Sequence, residues 1–163
     1  MIEVKIAAIR VSLVSPHRII VLKQLNAERY LPIWIGAFET EAISMHLQGI
    51  EPPRPMTHDL IVRLLKTLGV KLRYIYINDL HSDTFYCELV LGVKGEDVVV
   101  DCRPSDAIAL AVRLDVPIYV HEDVLQGAGV VPEESLLEES TDESLDVFRD
   151  YLNQLDLGDI PTD

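Results

Sequence analysis

VVVDCRPSDAIALAVRLDVPIYV, residues 98–120, reads as a strand, a helix and a strand in immediate succession. Val98-Val99-Val100 is an apolar run of the kind a buried strand shows, which places Asp101 at the strand's exit. Pro104 suits the first helical position, and Asp106 falls in the first turn, where a carboxylate complements the helix dipole. The aliphatic run from Ala107 carries the helix to about Leu114. Pro117 to Val120 then reads as a short strand.

Working back toward the N-terminus, three strands precede this stretch, at 70–79, 84–94 and 97–102. They turn around Asp79-Leu80-His81-Ser82-Asp83 and around Gly95. MTHDLIVRLLKTLG, 56–69, is the clearest helix, with Leu60, Leu64, Leu65 and Leu68 as its apolar stripe. EPPRP, 51–55, is a stiff extended connector. Before it, a helix runs from near Ala37 to about Gln48 on Phe38, Ala42, Ile43, Met45 and Leu47, and Gly49 ends it. RYLPIWIG, 29–36, is a strand that Pro32 confines to an edge or an irregular position. Residues 2–14 and 18–25 form two more strands around Ser15-Pro16-His17. Trp34 and Phe38 are expected in the core. Beyond Glu122 the chain shifts to loop and acid, with a short amphipathic helix predicted over 142–156 from Leu145, Phe148, Leu152 and Leu155. The fold class is α+β, with a largely antiparallel or mixed β-sheet, three main helices and the short C-terminal helix. The domain boundary is expected between 1–132 and an acidic tail, 133–163.

The length of 163 residues and the 48% apolar content suit one globular domain. No apolar run approaches the ~20 residues of a membrane span, and the alternating MIEVKIAAIR start is no secretory signal. A soluble, cytoplasmic protein is expected. The net charge is −13, but residues 133–163 hold eleven acids and Arg149 alone as a base, which leaves −3 for residues 1–132. The nearly balanced body does not exclude a nucleic-acid contact, although it carries no basic stripe. Cys87 and Cys102 lie in apolar strand patterns with no zinc-like spacing, and read as buried free thiols.

Polar residues gather at three element ends. Capping accounts for Pro104, Ser105 and Asp106, whereas Asp101 and Arg103 need another partner. Thr57 is a natural N-cap, and Asp59 could be a helix-end charge or a partner of Arg63. His58 sits at a helix N-terminus, where the dipole favours the neutral imidazole and hence a base or a metal ligand. Glu39 stands in the first turn after Gly36. There is no Gly-rich phosphate loop, no GxSxG and no HExxH. Such a set could bind a phosphate or a divalent metal, and it fixes no reaction.

LPIWIGAFETEAI, PPRPMTHDL, DTFYCELVL and VDCRPSDAIALAVRLDVPIYV, in this order and spacing, resemble the bifunctional nuclease domain family over roughly residues 2 to 130. The chain resembles a stand-alone bacterial-type member with an acidic C-terminal tail. The resemblance implies cleavage of DNA and RNA, and its polar motif positions are Glu39, Arg54, Thr57, His58, Asp59, Asp101, Arg103, Ser105 and Asp106. In the family the positions of Cys87 and Cys102 are commonly alanine, which implies small, non-catalytic thiols.

On that resemblance His58, Asp59, Asp101 and Arg103 are expected to be catalytic, and Arg54, Thr57 and Ser105 to bind substrate. Glu39, Asp59 and Asp101 are expected to hold a divalent metal, Mg²⁺ or Mn²⁺. The implied partners are a nucleic acid or a nucleotide, a second copy in a homodimer or other homo-oligomer, and a candidate protein partner for the C-terminal helix, with no membrane. The rival reading is a non-catalytic binding or regulatory module that uses the same polar cluster for structure or dimerisation.

Overall fold

The structure is a computed structural model and describes residues 1–11 and 18–131. The Ser15-Pro16-His17 turn and the predicted 142–156 helix lie outside the described residues. The strands are β1 (Ile2–Val11), β2 (Arg18–Gln24), β3 (Tyr30–Ile35), β4 (Lys71–His81), β5 (Thr84–Val93), β6 (Glu96–Cys102) and β7 (Ile118–Val120), with the clearest period-two alternation in β3 and β4. The helices are α1 (Ala37–Leu47), α2 (Thr57–Thr67), α3 (Pro104–Leu114) and α4 (Glu122–Ala128).

The described strands form one mixed sheet in the order β3-β2-β1-β7-β4-β5-β6. Every pairing is antiparallel except β4 with β7. The chain at 98–120 explains that exception. After β6 it crosses back over the sheet as α3 and enters beside β4 as the short β7, which β1 closes from the other side. Pro32 sits on β3, an edge strand, where its missing N–H costs no ladder bond.

The turn between β4 and β5 is tighter than the sequence predicts. β4 continues to His81, and only Ser82 and Asp83 bridge the strands, both at positive φ (48° and 58°). That is the twist-matched two-residue hairpin geometry. Thr84 pairs directly with His81.

The core lies between one sheet face and the helices. It is built from Ile20, Leu22, Leu31, Ile33, Ile75, Ile77, Cys87 and the buried run Ala107–Ala111 of α3. Ile108 and Leu110 are essentially inaccessible, and each contributes roughly 2–3 kcal/mol of burial. The small residues Ala107, Ala109 and Ala111 let α3 approach both α1 and α2 closely.

Four expectations need correction. Val98-Val99-Val100 is not a buried run, because β6 is an edge strand and all three valines are exposed. The leucine stripe of α2 divides: Leu65 packs on the core, but Leu60, Leu64 and Leu68 are exposed. His58, Ile61, Val62 and Leu65 follow an equally helical spacing and form the buried face instead. Trp34 and Phe38 are not core residues; they are 45% and 83% exposed. Finally, a fourth helix, α4, occupies the stretch read as loop. His121 caps it by accepting the Asp123 N–H at 3.1 Å, and Val124 and Leu125 anchor it in the core. Seven residues are too few to display a helical period. No helix among the described residues is long and apolar enough to cross a membrane.

Candidate functional site

The first turns of α1, α2 and α3 meet, and their polar side chains form one continuous chain. Gly36 ends β3 and opens α1. A β-carbon there would collide with the Glu39 carboxylate, so glycine lets Glu39 fold back over the corner. On α3, Arg103 is the N-cap residue and Asp106 lies one turn in. The Arg103 Nε donates to Asp106 Oδ2 at 2.8 Å, and its NH2 donates to Asp106 Oδ1 at 3.1 Å and to Glu39 Oε1 at 2.7 Å. Asp106 Oδ1 also meets His58 Nε2 at 3.1 Å. Glu39–Arg103–Asp106–His58 thus links three helices through hydrogen bonds, with Arg103 ion-paired to both carboxylates.

Burial falls steeply from His58 to Arg103 and returns at Glu39, whose side chain is 15% exposed. The His58 side chain is 9% exposed, Asp106 31% and Arg103 66%. Burial pushes the Asp106 carboxyl up, but the hydrogen bonds from Arg103 and then His58 outweigh it and leave the group below its usual range. Asp106, followed by Glu39, holds the Arg103 guanidinium still more firmly protonated than usual. Its NH1 group makes no hydrogen bond with any described residue, so two N–H donors are left for a ligand. His58, Arg103, Asp106, Thr57, Cys102 and Phe38 line a cavity of about 640 Å³. Arg103 also lines a neighbouring cleft of about 390 Å³ with Arg18, Trp34 and Ser105.

Asp59 belongs elsewhere. Adjacent to His58 in sequence but turned about 100° around the helix, it accepts from Arg113 Nε at 2.7 Å and from the Met56 N–H at 2.9 Å. Arg113, only 6% exposed, also donates to the carbonyls of Ala109 and Ala42, so it ties α1, α2 and α3 together. The Arg113 hydrogen bond is the main reason the Asp59 carboxyl lies below its ordinary range. Arg63, a partner offered by the spacing, is not the one used.

Asp101 points away from both groups. It pairs across the ladder with Glu88, while Cys102, on the opposite face of β6, turns toward the helices. Arg103 therefore takes its carboxylates from α1 and α3, not from Asp101. Arg54 is exposed in the connector and joins neither ion-pair group. Thr57 is the first helical residue rather than the N-cap, which is Met56.

Glu39, Asp59 and Asp101 consequently sit in three different surroundings. Among the described residues no group of three or more His, Cys, Asp and Glu side chains could hold a metal ion. The donor set expected for Mg²⁺ or Mn²⁺ does not fit, because Glu39 faces Arg103, Asp59 faces Arg113 and Asp101 stands on the other side of the sheet.

Sequence reasoning gave Asp106 a capping role and missed it as the partner of His58. No local signal marks that pairing, which spans 48 positions. Arg113 was missed for the same reason.

A family model of the bifunctional nuclease domain matches residues 20–133, a span that contains the whole Glu39–Arg103–Asp106–His58 chain. The sequence is 42% identical over 161 residues to an uncharacterized protein of Mycobacterium tuberculosis, covering 96% of both chains. It is 31% identical over 120 residues to bifunctional nuclease 1 of Oryza sativa subsp. indica, covering 71% of this chain and 36% of that one. Bifunctional nuclease 2 of Arabidopsis thaliana is 28% identical over 120 residues, again with 36% of its length covered. The chain belongs to the bifunctional nuclease domain family.

Proposed function

We propose that the chain hydrolyses phosphodiester bonds in nucleic acid at the cavity where α1, α2 and α3 meet. The observation that carries the reading is a buried imidazole, His58, oriented by Asp106 at 3.1 Å and set beside the exposed guanidinium of Arg103. With Nε2–H donated to Asp106, the Nδ1 of neutral His58 is left as an acceptor. It takes a proton from an attacking water, or from the 2′-hydroxyl of RNA. The free NH1 donors of Arg103 stabilise the negative charge that grows on the phosphoryl oxygens. Thr57 and Ser105 line the two adjoining cavities and bind the flanking backbone. Phe38, exposed at the cavity rim, offers a ring on which a base can stack. No step is assigned to a metal.

The plant relatives that carry the name bifunctional nuclease support this reading. So does the nearly balanced charge of residues 1–132, which permits a short single strand more readily than a long duplex. Purified protein should cleave single-stranded RNA or DNA, assayed in Mg²⁺, in Mn²⁺ and in chelator. No cleavage in any arm would end the nuclease reading.

The second reading is a non-catalytic module, favoured by the internal neutralisation of Arg103 by two carboxylates. It predicts no cleavage and a thermal stability indifferent to nucleotides. Self-association as a homodimer belongs to either reading, with the exposed Leu60, Leu64 and Leu68 of α2 as the surface. Sedimentation of Leu64→Lys against wild type tests it.

A further inference from the structure

Cys87 and Cys102 stand directly opposite each other on β5 and β6, and both are free thiols. Directly opposed residues of an antiparallel pair have α-carbons about 4.5–5.5 Å apart, inside the ~4.4–6.8 Å window that a disulfide spans. Both side chains turn to the helix side of the sheet. The Cys102 thiol donates to the Cys87 carbonyl oxygen at 3.5 Å, which holds its sulfur over the Cys87 backbone. Their access differs. Cys87 is fully buried, whereas Cys102 is half-buried and lines the cavity with His58, Arg103 and Asp106.

We propose that Cys87 and Cys102 form a reversible disulfide within the folded chain, with Cys102 as the thiol that meets the oxidant, a low-molecular-weight disulfide admitted by the cavity. The Cys102 thiolate attacks one sulfur of that disulfide, making a mixed disulfide and releasing one small thiolate. Cys87 then attacks the Cys102 sulfur, closes the Cys87–Cys102 bond and releases the second small thiolate. The two cysteines lose two electrons, the small disulfide gains them, and the two thiol protons pass to the departing thiolates.

The environments make Cys102 the thiol that attacks first. The hydrogen bond from Cys87 lowers the Cys102 thiol below its ordinary range, against burial and the nearby charges of Asp101, Asp106 and Glu88. The same contact, with burial, pushes the Cys87 thiol up. Arg103 follows Cys102 directly, so closing the bond fixes the exit of edge strand β6 from which Arg103 reaches Glu39 and Asp106. The inference does not depend on the nuclease reading.

The test is incubation of the reduced, folded full chain with oxidised glutathione, followed by intact-mass measurement and thiol titration after unfolding. The expected product has lost two hydrogens, has no free thiol and runs as a single chain. Its Tm is higher by roughly 5–10 °C, because the cross-link constrains the unfolded chain. Cys87→Ala should stop at one bound glutathione, and Cys102→Ser should react at least 10-fold more slowly. The proposal is overturned if the wild-type chain stops at mixed disulfides, links between chains, or closes its disulfide only in denaturant.

Discussion

His58 Nε2 lies 3.1 Å from Asp106 Oδ1, which joins the first turn of α2 to the first turn of α3 across 48 positions of sequence. Asp106 is held in place by the Arg103 guanidinium, so the imidazole is presented in one orientation and one tautomer. Replacing Asp106 by Asn keeps the volume and removes the charge that orients His58. Cleavage by Asp106→Asn should fall about 10²–10⁴-fold, with the circular dichroism spectrum unchanged. Full activity in this variant would remove His58 from the chemistry.

Phe38 is 83% exposed at the rim of the same cavity. Because truncating it removes no core contact, Phe38→Ala should leave Tm within a degree or two of wild type. A base stacked on its ring is worth about 1–3 kcal/mol, so affinity for a short single strand should drop roughly 10-fold. Trp34 is the chain's one tryptophan and lines the adjoining cleft, which makes its fluorescence the readout. Unchanged affinity would mean that the ring serves something other than a base.

Arg113 is almost inaccessible and Asp59 is its only charged partner among the described residues. Asp59→Ala leaves that guanidinium buried and uncompensated, which should cost about 3 kcal/mol in urea unfolding. Because Asp59 lies outside the cavity of His58, cleavage per folded molecule should survive the substitution. The opposite pattern, stability kept and cleavage lost, would place Asp59 in the chemistry.

The same two carboxylates set an acid response. Asp59 and Asp106 both lie below their ordinary range in the folded chain, so the unfolded chain binds protons first as pH falls. Their contribution is complete above the unfolded value near pH 4 and is lost as pH drops through the lower folded values. Unfolding midpoints measured from pH 5 downward should therefore decline, and Asp59→Asn should flatten the decline. A midpoint equally steep in wild type and variant would contradict this origin.

The sequence was most legible where a pattern ran uninterrupted. The unbroken apolar runs Ile19–Leu22 in RIIVLKQ and Ala107–Ala111 show in one dimension what they bury in three. It was ambiguous on α2, where two apolar stripes share one helix and the leucines of the more obvious one face outward. It was silent on α4, whose seven residues show no period, and on the five-residue turn that shrank to Ser82-Asp83. The candidate site was legible as residue types, since every member of the Glu39–Arg103–Asp106–His58 chain stands at a polar helix start. Its pairings were not, because they depend on how three helices pack. Asp59 lies one position from His58 in sequence, and Asp101 lies two from Arg103. Helical rotation for one and strand alternation for the other turn them away.

The most direct measurement compares cleavage of single-stranded RNA and DNA by wild-type protein and by His58→Gln, purified identically and matched for folded fraction. The account predicts cleavage by the wild type and a loss of at least about 10²-fold in His58→Gln. Equal cleavage by the two proteins would contradict it.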